Sequence, residues 1–101
     1  MIYNKLVRDK IPEIIERNGG KADVRVLSEE EYKQYLEKKL DEETVEYHRD
    51  KTPEELADIL EVVYALAATA GCSREQLMET CRRKHDLRGG FEASYLLISS
   101  E

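Results

Sequence analysis

The chain has 101 residues, of which 41% are hydrophobic, 38% charged and 7% aromatic, and its net charge is −6. That length holds one domain with a small core, the apolar share excludes intrinsic disorder, and much charge with few rings suits amphipathic helices better than a strand-rich sandwich. The acid is concentrated: residues 29–61 carry 13 acidic against 5 basic side chains, whereas 1–28 are weakly basic and 62–101 balance. A local acidic centre argues against nucleic-acid polymers as partners. No apolar run reaches membrane-spanning length and the opening MIYNKLVRDKIP has no secretory core, so the expectation is a cytoplasmic protein with no membrane partner. Cys72 and Cys81 stand at neither CxxC nor ligand spacing, which fits free thiols in a reducing compartment.

Pro12 suits the first turn of a helix, because a proline there forfeits no helical hydrogen bond; EIIERN continues that helix until Asn18, Gly19 and Gly20 stop it. KADVRVLS alternates Ala22, Val24 and Val26 with polar residues, which predicts a short extended segment over 22–27. Ser28 followed by Glu31 forms a capping box that opens a second helix over 29–49. Thr52, Pro53 and Glu55 repeat the start signal for a third helix running to Ala70, with Gly71 as its stop. Its second half, VVYALAATA, is apolar nearly all round, so it should be buried centrally and partly by another subunit. Ser73 and Gln76 open a fourth helix that ends before Gly89 and Gly90, and FEASYLLISSE beyond it is either a strand near 91–98 or a segment lying across the core. The expected architecture is therefore all-α, a single domain over 1–101 with about four helices, a central antiparallel helix pair and an oligomeric bundle.

From Leu40 to Asp58 eight acidic residues face only Arg49 and Lys51. Glu43 and Glu46 are spaced i, i+3, as are Glu55 and Asp58, so each pair leaves one face of its helix. The short turn HRDKT makes the two helices antiparallel neighbours, which can bring all four carboxylates together. Glu43 also occupies a place in the stripe Tyr32, Leu36, Leu40 and Tyr47 where an apolar residue belongs, which turns it toward the core. Converging ionised carboxylates repel, and a hard divalent cation, Mg²⁺ or Mn²⁺, relieves that repulsion while leaving coordination positions for phosphate oxygens. The competing account is a solvated acidic face, with Glu55 folded back onto Thr52 as part of a capping box.

The patterns EExxE (Glu42, Glu43, Glu46) and ExxD (Glu55, Asp58), together with YNKLVRDKIPEII and KHDLRGGFE, resemble the all-α MazG-like nucleoside triphosphate pyrophosphohydrolases, and among them a small phosphoribosyl-ATP pyrophosphohydrolase-like subgroup. Three blocks spread over most of the chain carry that resemblance. It implies a homodimer or higher homo-oligomer, with Mg²⁺ (or Mn²⁺) held by Glu43, Glu46, Glu55 and Asp58. It also implies cleavage between the α and β phosphates to give a nucleoside monophosphate and pyrophosphate; one carboxylate would take the proton of the attacking water, and Glu43 is the candidate for that base. Substrate-binding candidates are Lys5, Arg8 and Lys10 in the opening block, Lys39 beside the acidic motif, and Lys84 and Arg88 with Arg82 and Arg83 near the RGGF turn, since basic side chains pair with phosphate oxygens; Glu42, within the acidic motif, is a further candidate that the resemblance supplies. The resemblance departs at Val45, where the subgroup carries a second acidic residue. House-cleaning hydrolysis of noncanonical nucleotides is the leading expectation, phosphoribosyl-ATP hydrolysis in histidine biosynthesis is the enzymatic alternative, and a non-catalytic nucleotide- or metal-binding oligomer is the alternative of another class. His48 and His85 have no partners at ligand spacing. The rings of Tyr32, Tyr35, Tyr47, Tyr64, Phe91 and Tyr95 serve equally as core or as stacking surfaces.

Overall fold

The computed structural model describes residues 3–101 and is all-helical: α1 Ile11–Arg17, α2 Glu29–Asp50, α3 Pro53–Thr69 and α4 Arg74–Arg88. The expectation that the opening lacks a secretory leader rests partly on Met1 and Ile2, which lie outside the described residues. No single helix among the described residues is long and apolar enough to cross a membrane.

Local chemistry explains the helix ends. Ser28 takes the backbone N–H of Glu31 while the Glu31 side chain returns to the Ser28 N–H, and Ser73 and Gln76 reciprocate in the same way at the start of α4. Each pair satisfies two donors that the first helical turn leaves unpaired. Glu31 is further held by Arg25 at 3.1 Å, and the bond from Arg25 comes first among the causes that hold its pKa down to about 2. Lys51 ends α2 in the left-handed region, at φ 57, with its N–H on the Tyr47 carbonyl and its ammonium 5.5 Å from the centre of the Tyr47 ring. Only Lys51 and Thr52 separate α2 from α3.

Packing is concentrated between α2 and α3, with α4 resting on α3. Leu36 and Val62 are the buried apolar residues of this contact, and Glu43 is buried with them. Neither α1 nor α4 contains a buried residue. The extended segments expected over 22–27 and 91–98 do not form strands: no strand occurs among the described residues. A strand needs a partner for its backbone hydrogen bonds, and neither segment finds one here. Val26 is 95% exposed, and Phe91, Tyr95, Leu96, Leu97 and Ile98 are all exposed too. The apolar second half of α3 is likewise less covered than its sequence suggests, since Val62 is buried but Val63 to Ala67 are only half-buried.

Candidate metal centre

The acidic turn gathers three carboxylates from two helices. Oxygens of Glu43 on α2 and of Glu55 and Asp58 on α3 all lie within 4.8 Å of one another, a spacing one cation can span. Glu43 reaches this point because it shares a face of α2 with Leu36, seven residues or nearly two turns earlier, and both sit at the helix contact with 7% and 3% exposure. Of the expected stripe, Leu36 is buried, Leu40 and Tyr47 are half-buried and Tyr32 is exposed, with the Glu43 carboxylate buried between Leu40 and Tyr47 along the helix. Glu55 and Asp58 project together because they stand three apart on the first turns of α3.

Unmet hydrogen-bonding capacity marks the same place. Glu43 Oε2 and Glu55 Oε2 are buried and have no partner. A buried carboxylate oxygen without a donor loses its water and gains nothing in return, a cost that a protein ordinarily avoids. At the start of α3 the Glu55 N–H donates to Thr52 Oγ1 at 3.4 Å, but the Glu55 carboxylate does not complete the box. The competing account of Glu55 as a cap is therefore half correct: its backbone is capped, and its side chain is left to the cluster.

Charges respond accordingly. Burial, then the adjacent Glu46 carboxylate, push the Glu43 pKa up, and Lys39 at 3.4 Å only partly opposes this. Glu55 is also pushed up, first by desolvation and then by Glu46, Asp50 and Asp58. Three carboxylate oxygens with two unpaired members fit a hard divalent cation of the Mg²⁺ or Mn²⁺ type, which takes oxygen ligands and keeps positions for water and phosphate. Glu46 is the fourth residue expected at the site. It lies beside Glu43 and contributes to its charge environment but stands outside the group of three.

The basic candidates divide. Lys5 donates to Glu42 Oε1 at 3.0 Å and Arg8 to Asp58 Oδ1 at 2.7 Å, so the segment before α1 crosses to the acidic turn and engages it. Lys39 bridges Glu42 and Glu43, both at 3.4 Å. Burial would raise the Glu42 carboxyl, but the bond from Lys5 and the charges of Lys39 and Lys5 outweigh it and hold the group below its usual range. Lys10, Lys84 and Arg88 are exposed and form no ion pair among the described residues, Arg82 pairs with Glu79, and Arg83 bonds Thr80 Oγ1. His48 and His85 are exposed, and Val45 is 65% exposed on α2. Of the rings, Tyr35, Tyr47 and Tyr64 are half-buried, and Arg74 lies 4.1 Å over the Tyr64 ring.

Sequence reasoning assigned Lys5 and Arg8 to phosphates and did not foresee their carboxylate partners, which lie 37 and 50 residues away. No local pattern carries that pairing. Two surface depressions lie elsewhere. One of about 340 Å³ is lined by Leu6, Asp9, Arg25, Leu27 and Tyr32, and one of about 530 Å³ runs along Cys72, Gln76, Thr80 and Arg83; neither includes Glu43, Glu55 or Asp58.

Compared with known proteins, the chain is 50% identical over 42 residues to an uncharacterized protein of Mycolicibacterium smegmatis, a stretch covering 42% of this chain and 43% of that one. The matched region is thus less than half the length of that relative. No protein-family profile matches the chain, and no solved structure matches it.

Proposed function

We propose that this protein is a Mg²⁺-dependent nucleoside triphosphate pyrophosphohydrolase of the MazG-like type, a cytoplasmic homo-oligomer that clears noncanonical or surplus nucleotides. The observation that carries the reading is the meeting of Glu43, Glu55 and Asp58 within 4.8 Å, with a buried, partnerless oxygen on both Glu43 and Glu55. The contact between α2 and α3, which only two residues join, supports it, because an antiparallel pair would hold the carboxylates in register along the seam. The three sequence blocks that resemble the superfamily supply the reaction class.

In this reading Glu43, Glu55 and Asp58 hold the cation, and Glu46 beside them keeps the local field negative. Bound there, Mg²⁺ supplies charge neutralisation for the polyphosphate and an oriented, more acidic water. Glu43 would be the residue to take a water's proton, because it is the most buried carboxyl of the three and burial raises its proton affinity, as it also raises that of Glu55. Lys39, held between Glu42 and Glu43, keeps a positive charge at the mouth of the site. Arg8, whose partner Asp58 would be taken up by the cation, would then be free to pair with phosphate oxygens, and Lys5 on Glu42 would stand beside it.

The test is pyrophosphate release from a panel of normal and modified nucleoside triphosphates, with phosphoribosyl-ATP included, in MgCl₂ or in EDTA. Magnesium-dependent release of pyrophosphate with the matching monophosphate is the expected result. Release of inorganic phosphate, or no product from any nucleotide, would remove the pyrophosphohydrolase reading and leave a metal-binding helical module.

A further inference from the structure

The structure leaves a large part of the chain's apolar surface without cover. The chain exposes 9102 Å², whereas a compact monomer of its mass, 11.7 kDa, exposes about 5,900 Å². Its radius of gyration is 17.7 Å, against about 13 Å for a compact domain of this length. The excess, roughly 3,000 Å² per chain, is on the scale that an obligate homo-oligomer removes.

Two apolar features stand exposed within it. The first is the arm that follows Gly89, in which Phe91, Tyr95, Leu96, Leu97 and Ile98 are 81–97% exposed. YLLI is apolar without alternation, so an extended arm carries apolar side chains on both of its sides and needs cover on both. The second is the outer face of α3, where Leu56 and Leu60, one turn apart, are 49% and 46% exposed and lead into half-buried Val63.

We propose that the arm Phe91–Ile98 docks on the α3 face of a second copy of this chain, and that the two copies exchange arms. Reciprocity is what favours a second copy. A two-fold exchange covers two arms and two α3 faces at once, and the same surface serves both partners. Phe91 and Tyr95 offer about 150–250 Å² each, so two exchanged arms with their aliphatic residues exceed the roughly 1,000 Å² that a specific interface requires. The arm Phe91–Ile98 is also nearly uncharged, Glu92 being its one charge, which limits repulsion between two chains of net charge −6. The inference rests on the homo-oligomeric part of the proposed function and not on its chemistry.

The test is the mass of the full-length chain in EDTA without nucleotide, by light scattering behind size exclusion, so that metal binding and turnover play no part. The expected mass is an even multiple of 11.7 kDa, falling by at least two-fold when Leu96→Asp and Ile98→Asp are combined, with the helical circular dichroism retained. A second measurement stands apart from folding of that variant. In a Cys72→Ser, Cys81→Ser background, chains carrying Leu97→Cys are mixed with chains carrying Leu60→Cys and oxidised, and a disulfide-linked mixed dimer is expected. A monomeric full-length chain, an oligomer of unchanged mass in the folded arm variant, or no mixed dimer would overturn the proposal. So would a doubly substituted Leu60→Cys, Leu97→Cys chain that closes its disulfide within one copy, which would place the arm on its own α3.

Discussion

Replacing Glu43 by glutamine keeps the side-chain volume and removes only the charge, which isolates the electrostatic part of the site. In the metal-free protein at neutral pH, Glu43 has two carboxylate neighbours within 4.8 Å and the Lys39 ammonium at 3.4 Å. At an effective dielectric of about 20, a like charge at that separation costs roughly 3.5 kcal/mol and the ammonium returns roughly 5 kcal/mol. The two repulsions exceed the one attraction by roughly 2 kcal/mol, Glu46 adds to them, and screening by water on the open side leaves about 1 kcal/mol against the ionised glutamate. Glutamine should therefore raise the Tm in EDTA by about 4–8 °C for a domain of this size. Lys39 is not orphaned by the change, since Glu42 stays at 3.4 Å. The pH dependence has a definite sign. Burial raises the Glu43 pKa above the usual 4.5, so the folded chain holds that proton more tightly than the unfolded one. Wild-type stability from this group is complete below the usual value and is lost as pH rises through the raised one. The gap between variant and wild type should thus be absent in acid and open toward pH ~7. Adding Mg²⁺ at about 100 times its dissociation constant should return about 2.7 kcal/mol to the wild type and far less to the variant. Circular dichroism melts at one protein concentration read all of this. A lower Tm for Glu43→Gln in EDTA at neutral pH, or an equal gain from Mg²⁺, would refute the reasoning and make Glu43 a structural residue.

The other residues give sharper contrasts. Arg8→Ala should tighten Mg²⁺ binding by up to about five-fold in calorimetry, because an exposed ion pair worth at most about 1 kcal/mol no longer competes for Asp58; unchanged or weaker binding would show that Arg8 does not compete with the cation there. Asp58→Asn and Glu55→Gln should each abolish the Mg²⁺-dependent rise in Tm while leaving the far-ultraviolet spectrum intact, and a full rise in either would take that carboxylate out of the site. Ser73→Ala should cost about 1 kcal/mol of stability by breaking the α4 capping box, with no effect on Mg²⁺ affinity; a change in affinity would couple α4 to the acidic turn. Lys51→Val should lower the Tm in EDTA and the Mg²⁺ affinity together, since a β-branched residue at φ 57 strains the turn that sets α2 against α3; wild-type values for both would mean that the turn conformation does not position the cluster.

The four helices were legible in the sequence to within a residue: Ser28, Thr52 and Ser73 cap α2, α3 and α4 through contacts only three residues long, and α1 carries Pro12 in its first turn and no side-chain cap. Glu43 was legible too, as a charge standing in an apolar stripe. The segments over 22–27 and 91–98 form no strand among the described residues: alternation and apolar character describe what a strand would need, while a strand itself requires a neighbour, and none lies beside them there. Lys5 and Arg8 look like phosphate ligands in isolation; only their position across the acidic turn reveals carboxylate partners.

Sequence by itself determined the helix boundaries and the concentration of acid around one turn, since both are set by neighbours within a few residues along the chain. Tertiary structure decided which carboxylates meet. Glu43, Glu55 and Asp58 share one point because of how α2 rotates against α3, and side-chain spacing along either helix is silent on that rotation. It also decided that the Glu55 carboxylate remains outside its capping box, and that the apolar arm beyond Gly89 lies uncovered. Burial belongs to the surfaces that face a side chain, and those surfaces come from distant parts of the chain or from another molecule.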